Sequence, residues 1–164
     1  QVNVDTTRRW VDTLSNLHHG FLLRPWFKNV SRSLRKEPKW LLRDWSDISD
    51  IGAKAETFVG CHLLKAVEGW NDLGLGTFHL NYLRDKSMRE VDFIVIRDSK
   101  PWFLVEVKNS RETISESLAY YQNTLKVPHA FQVVMDAPFV NADCFEKPGM
   151  PIMVPARTFL SQLF

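Results

Sequence analysis

Two neighbouring segments in the middle of the chain carry the hydrophobic pattern of a β-hairpin. Residues 89–96 and 102–108 are rich in β-branched and aromatic side chains, which are enriched in strands. Residues 97–101 between them combine charged residues with serine and proline, a composition typical of a turn. The pattern therefore predicts two antiparallel strands joined by a short turn at the centre of the fold.

Acidic side chains interrupt the first of these strands. Because alternate residues of a strand share a face, we expect Glu90, Asp92 and Ile94 on one side and Val91 with Phe93 on the other. A carboxylate among apolar neighbours must be paired, hydrogen-bonded or metal-bound, or its pKa rises until the group is neutral. The acids of this strand are therefore candidates for chemistry as well as for structure.

The second strand carries an acid and a lysine on one face, since Leu104, Glu106 and Lys108 alternate along it. One interpretation is structural, with Glu90 and Glu106 forming cross-strand ion pairs with Lys108 on a solvated face. The set of Asp92, Glu106 and Lys108 favours a metal site instead. Two carboxylates can hold a hard divalent cation such as Mg²⁺, and a nearby lysine can orient the attacking water.

The first part of the chain predicts a helix followed by a two-stranded ribbon. Asp5 is the expected N-cap of the helix, and Gly20 fits the position just past its C-terminus. Residues 21–27 are predicted to be extended, and Pro25 within them favours an edge strand. Residues 39–45 form the returning strand. This order resembles the end of a winged helix.

Positive charge is concentrated in this ribbon, where Glu37 is the only acid between positions 28 and 43. Such a run can bind nucleic-acid phosphates. The candidate residues for this contact are Lys28, Arg32, Arg35, Lys36 and Lys39. A solvated surface ribbon, or a docking face for another domain, explains the charge equally well.

A turn-like segment at residues 47–52 divides the chain into a winged-helix-like segment, 1–50, and a larger domain, 51–164. Hydrophobic periodicity predicts the elements of the larger domain. Besides the hairpin, these are a helix at 53–68, a strand at 77–83, a helix at 112–125, a strand at 130–135, a short strand at 152–154 and a helix at 157–164. The second hairpin strand, the helix at 112–125 and the strand that follows should form a parallel β-α-β crossover.

Composition limits the class of protein. A chain of 164 residues has the size of one domain, or of one domain with a small appendage, and 45% hydrophobic content argues against disorder. A net charge of +2 is by itself a weak argument for nucleic-acid binding. No apolar run approaches the roughly 20 residues that span a bilayer. Two cysteines without metal-ligand spacing agree with reduced thiols in a cytoplasmic protein.

The order of acidic residues along these elements resembles that of the PD-(D/E)XK nuclease superfamily. Glu56 lies on the first helix of the larger domain, Asp92 on the hairpin, Glu106 and Lys108 on the next strand, and Gln122 on the following helix. The residue before Asp92 is valine, where the motif that names the superfamily has proline. The resemblance implies the α/β class, with a restriction-endonuclease-like mixed sheet flanked by helices and preceded by the winged-helix-like segment.

A closer resemblance covers nearly the whole chain. The segments LLRPW, KEPKWLLRD, ETFVGCHLLKA, REVDFIVI and FLVEVKNS look like the uncharacterised C-terminal domain of prokaryotic AAA-type ATPases. In those proteins, an ATPase module precedes a winged-helix-like segment and a nuclease-like domain. The resemblance implies a missing N-terminal AAA-type ATPase module as a partner. The chain itself contains no G-x-x-x-x-G-K-[ST] stretch for nucleotide phosphates.

These resemblances imply Mg²⁺- or Mn²⁺-dependent hydrolysis of phosphodiesters, with DNA as the expected substrate. Asp92 and Glu106 would hold the metal, and Glu56 would contribute through a water molecule or a second metal. Lys108 would position or deprotonate the attacking water and stabilise developing phosphate charge. Gln122 would supply a supporting contact from the following helix.

Two other functions agree with the same sequence. The domain is either a non-catalytic nucleic-acid-binding or partner-docking module that regulates the ATPase, or a purely structural regulator of it. In the first case the basic ribbon carries the affinity and binding depends steeply on salt. In the second case the domain binds neither nucleic acid nor metal. The sequence leaves the oligomeric state open.

Overall fold

Helices are separated by groups of two or three strands in the computed structural model, which describes residues 3–26 and 37–164. Within these residues the elements are, in chain order, α1 (Val4–Asn16), β1 (Gly20–Pro25), β2 (Lys39–Leu42), α2 (Ile51–Asp72), β3 (Phe78–Arg84), β4 (Glu90–Arg97), β5 (Lys100–Lys108), α3 (Glu116–Leu125), β6 (His129–Val134), β7 (Pro151–Pro155) and α4 (Ala156–Leu160). None of the described helices is long and apolar enough to cross a membrane.

The strands form one mixed sheet in the order β2-β1-β3-β4-β5-β6-β7. Strands β1 and β2, β3 and β4, and β4 and β5 pair antiparallel, whereas β1 and β3, β5 and β6, and β6 and β7 pair parallel. The α/β class, the central β4–β5 hairpin and the parallel β5-α3-β6 crossover are thereby confirmed. The assignment of residues 1–50 and 51–164 to separate units stays a prediction, and β1 and β2 belong to the same sheet as the later strands.

The N-terminal hairpin differs from expectation in which strand lies at the edge. β1 pairs with β2 through Gly20–Leu23 and with β3 through Arg24 and Pro25, so β2 rather than β1 is terminal in the described sheet. Pro25 lies two residues beyond Leu23, the last residue that pairs with β2, so its missing N–H removes no hydrogen bond to that strand. The edge-strand prediction for residues 21–27 was therefore wrong.

The ends of α1 also differ from the sequence prediction. Asn3, rather than Asp5, is the N-cap, and its side-chain oxygen accepts a hydrogen bond of 3.0 Å from the backbone N–H of Asp5. His18 takes the left-handed conformation past the helix end, with φ 55°. Gly20 instead begins β1, where a Cβ atom would collide with the ring of Trp40. A glycine is thus needed for close packing in the sheet rather than for capping.

Hydrophobic residues bury both faces of the sheet. On one face, α2 and α4 cover a large aromatic cluster that includes Phe93, Phe103, Phe131 and Phe159, all of them fully buried. On the other face, α3 packs Leu118 and its neighbours against β4 and β5. Each fully buried side chain of this size contributes roughly 1.5–3 kcal/mol through burial. The strands carrying the acids are therefore held in a rigid, two-sided core.

The start of α3 is set by a buried glutamine on the neighbouring strand. Gln132 is completely buried, and its Oε1 accepts a 2.8 Å hydrogen bond from the backbone N–H of Ser115. Its Nε2 donates to the backbone carbonyls of Glu112 and Thr113, each at 3.2 Å. Because these backbone groups bond to Gln132, residues 112–115 are not helical and α3 begins at Glu116, four residues later than predicted.

Replacing Gln132 by alanine should lower the free energy of unfolding by about 2–3 kcal/mol, because three backbone groups lose the buried side chain that pairs with them. The matched control is Gln122→Ala, since Gln122 is also buried but makes one long hydrogen bond, 3.4 Å from Nε2 to the carbonyl of Pro128. We expect about 1 kcal/mol for that variant. Urea denaturation measures both. Equal losses would contradict the role given to Gln132.

Candidate functional site

A bulge at the start of β4 decides which way its side chains face. Asn81 pairs with Ile94, but Leu83 pairs with Val91, so β4 has one more residue than β3 between these pairs. Val91 consequently packs in the same cluster as Ile94, on the α3 side of the sheet, and not with Phe93 as strict alternation predicted. The extra residue shifts the alternation at this point, and Asp92 lies within the bulged segment.

Asp92 replaces the backbone of β4 as the partner of β5. The paired residues of the two strands end with Phe93 and Val105. Beyond this pair, the carboxylate oxygen Oδ2 of Asp92 accepts a 2.8 Å hydrogen bond from the backbone N–H of Val107, two residues after Val105. The Asp92 side chain is thereby held against the segment that carries Glu106 and Lys108.

Glu106 is a buried carboxylate with half of its hydrogen-bonding capacity unused. The residue is 8% exposed, and its Oε1 lies 3.2 Å from Nζ of Lys108. Its Oε2 is buried and has no hydrogen-bond partner among the residues that the structure describes. Buried carboxylate oxygens are normally satisfied by a donor or a cation, since leaving one unpaired costs free energy. Glu106 is therefore the strongest single indication of a binding site.

The acids raise one another's proton affinity. Burial, followed by the charges of Glu106 and Glu56, raises the pKa of Asp92 to about 8, although the Val107 N–H opposes the shift. Burial also raises the pKa of Glu106 above its usual value, as does the charge of Glu56, against the opposing effects of Lys108 and of the backbone N–H of Asp92. Such mutual repulsion is relieved either by protons or by a bound cation.

Glu56 reaches the same cluster from α2, but it is already paired. Its Oε1 accepts a 2.8 Å hydrogen bond from Nζ of Lys39, at the start of β2. The same ammonium group forms an ion pair with Glu90, whose other oxygen lies 3.3 Å from Nε of Arg84. Glu90 was expected, in the structural interpretation, to pair with Lys108. It belongs instead to the Lys39 network, which no local pattern in the sequence indicates.

The structure brings together four of the five predicted catalytic residues, because Glu56, Asp92, Glu106 and Lys108 lie in one acidic cluster. Gln122 lies apart from them, because its side chain donates to the carbonyl of Pro128, just before β6. Glu106 is instead level with Gln132 of β6 in the register of the two strands. Of the predicted nucleic-acid contacts, Lys39 faces the acids. The other four are Lys28, Arg32, Arg35 and Lys36, and they lie outside the described residues.

Two of the acids fit a metal ion better than the third. Across residues 3–26 and 37–164, no group of three His, Cys, Asp or Glu side chains is arranged so as to hold a metal. Asp92 and Glu106 provide two carboxylates with an unpartnered buried oxygen. That donor set suits a hard divalent cation whose remaining ligands are water or substrate oxygens. Glu56 already has Oε1 bonded to Lys39, which leaves only its other oxygen for a metal ion in this arrangement.

The raised pKa of Asp92 makes stability depend on pH in the absence of metal. The folded state keeps a proton on Asp92 up to about pH 8, whereas the unfolded chain releases it near pH 4. Between these values the folded state binds more protons, so the free energy of unfolding falls as pH rises, by at most about 1.4 kcal/mol per pH unit.

We expect thermal unfolding in a chelator to show this decline between about pH 5 and 8. Asp92→Asn should flatten it, because the neutral amide keeps an oxygen that can accept from Val107. Groups outside the acidic cluster, such as His129 with its lowered pKa, contribute equally to both proteins and cancel in the comparison. Parallel stability curves for the two proteins would contradict the pKa shift of Asp92.

Comparison with known proteins identifies one family. The model of a family described as Domain of unknown function (DUF4143) matches residues 51–138, which include Glu56, Asp92, Glu106 and Lys108 but not Lys39. Searches of curated proteins and of solved structures gave no significant match. Because the match covers more than half of the 164 residues, the chain belongs to the DUF4143 family.

Proposed function

We propose that the acidic cluster is a divalent-cation site for hydrolysis of phosphodiesters, with DNA as the substrate. The observation that carries the proposal is the buried carboxylate of Glu106, whose Oε2 lacks a partner in the described structure while Asp92 and Lys108 adjoin it. The order of these residues along the chain, which resembles that of PD-(D/E)XK nucleases, supports the same chemistry.

Each residue would have a distinct task. Asp92 and Glu106 would hold Mg²⁺ or Mn²⁺, and their positions depend on the Val107 N–H and on the rigid core below. A bound divalent cation would supply Lewis acidity and a more acidic water molecule. Lys108, 31% exposed and paired with Glu106, would orient the attacking water and stabilise negative charge on the phosphate. Glu56 and Gln122 take no direct part in this scheme.

A second candidate function is favoured by a specific observation. The ammonium group of Lys39 already satisfies Glu56 and Glu90, as expected if the cluster is a structural ion-pair network. The domain would then dock a partner or nucleic acid without cleaving it. In either case, the segments that resemble the C-terminal domain of AAA-type ATPases support the proposal that an ATPase module is its physiological partner.

Calorimetric titration with Mg²⁺ and Mn²⁺ separates the two functions. We expect the unaltered protein to bind the cation and Asp92→Asn to bind at least tenfold more weakly, because a neutral amide replaces one of two carboxylate ligands. The matched control is Asp47→Asn, since Asp47 is exposed. Asp47→Asn should retain the affinity. Equal affinity in all three proteins would remove Asp92 from the site.

Cleavage of linear double-stranded DNA in Mn²⁺ tests the reaction itself. Lys108→Met should lower the rate by about 100-fold or more, since removing one preorganised charged group in an active site commonly has an effect of this size. It should leave the cleavage products unchanged. Asp47→Asn again serves as the control. Activity that persists undiminished in both Asp92→Asn and Lys108→Met would assign the cleavage to a contaminant.

A further inference from the structure

One ammonium group joins three elements beside the candidate metal site. Nζ of Lys39 lies 2.8 Å from Oε1 of Glu56 on α2 and pairs with Glu90 at the start of β4. It also lies 5.2 Å from the ring centre of Tyr82 on β3, whose hydroxyl donates a 2.7 Å hydrogen bond to the carbonyl of Glu37. The side chains of Lys39, Glu56 and Glu90 are 24%, 25% and 29% exposed. The ammonium group is therefore enclosed by acids and an aromatic ring.

The charges of the cluster come close to balance. Among residues 3–26 and 37–164, it contains four carboxylates and three basic side chains, which are Glu56, Glu90, Asp92 and Glu106 with Lys39, Arg84 and Lys108. With all four carboxylates ionised, as beside a bound divalent cation, one net negative charge remains among these groups. Without Lys39, two would remain, and Oε1 of Glu56 would lose its 2.8 Å contact with the ammonium group. A second cation would then be needed to offset the repulsion.

We propose that Lys39 is a positioning residue whose ammonium group takes the place of a second metal ion, so that the site binds one divalent cation. This inference rests on the proposed metal site at Asp92 and Glu106. Lys39 holds Glu56 and Glu90 in position and offsets one of their two negative charges, but its ammonium group offers no lone pair and cannot itself be a ligand. The second cation position is thus filled by the protein.

Because Lys39 lies on β2, the N-terminal β1–β2 hairpin contributes a side chain to the charge cluster. Lys39 opens β2 and lies outside the region matched by the family model, which begins at residue 51. β2 reaches the remaining sheet through β1. The hairpin therefore completes a charge cluster whose acids all come from the matched region.

The test compares Lys39→Gln with Lys39→Arg by Mn²⁺ calorimetry and by thermal unfolding with and without Mn²⁺. Glutamine still donates one hydrogen bond but carries no charge, whereas arginine keeps the charge. The unaltered protein and Lys39→Arg should bind one Mn²⁺. Lys39→Gln should bind a second, or bind the first at least tenfold more tightly. Without metal its melting temperature should fall by about 4 °C or more, and Mn²⁺ should restore it.

The outcomes separate this inference from the proposed function. If Lys39→Gln binds one Mn²⁺ with unchanged affinity and gains no more stability from it than the unaltered protein, the role of Lys39 is refuted while the metal site stands. If Mn²⁺ binds to Lys39→Gln alone, Lys39 fills a cation position but the natural protein has no metal site. If neither protein binds Mn²⁺, both proposals fail. A Lys39→Gln protein that folds in Mn²⁺ and not in a chelator supports the inference.

Discussion

Repulsion between two carboxylates on adjacent strands is the constraint around which this end of the molecule is built. Asp92 and Glu106 are brought together by the pairing of β4 with β5, in surroundings dry enough to raise the pKa of each. Charges so placed cost free energy unless they are compensated. β5 supplies two compensating groups: the Val107 N–H, which donates to Asp92 on β4, and the Lys108 ammonium group, which pairs with Glu106. The unpartnered Oε2 of Glu106 shows that this compensation is incomplete in the described structure.

The remaining compensation comes from distant parts of the chain. Lys39 carries positive charge from β2 to Glu56 and Glu90, and Arg84 adds a second contact to Glu90. A rigid core keeps these groups in place, because aromatic side chains fill one face of the sheet and α3 covers the other. Gly60 of α2 permits a close approach here, since a Cβ at that position would lie 2.9 Å from the ring of Phe93. Packing and electrostatics therefore depend on the same helix and strands.

Local chemistry explains why many elements were predictable. β-Branched and aromatic runs made β4 and β5 evident, and steps of four apolar residues made α2 evident, although both of its ends lie beyond the predicted bounds. The errors also have identifiable physical causes. The bulge at Asp92 moved Val91 to the other face, and Gln132 took the backbone groups that would have extended α3 toward Glu112. Hydrophobic periodicity predicts neither effect, because each depends on a partner in another strand.

The sequence by itself determined the α/β class, the central hairpin and the presence of Asp92, Glu106 and Lys108 on its two strands, since these follow from alternation over short distances. Only the tertiary structure decided the partners. It placed Glu56 against Lys39, 17 positions away in the chain, and it placed Gln122 beside Pro128 instead of the acids. Those contacts depend on the order of strands in the sheet and on how each helix crosses it. Hydrophobic periodicity specifies the face of an element, but not its neighbour.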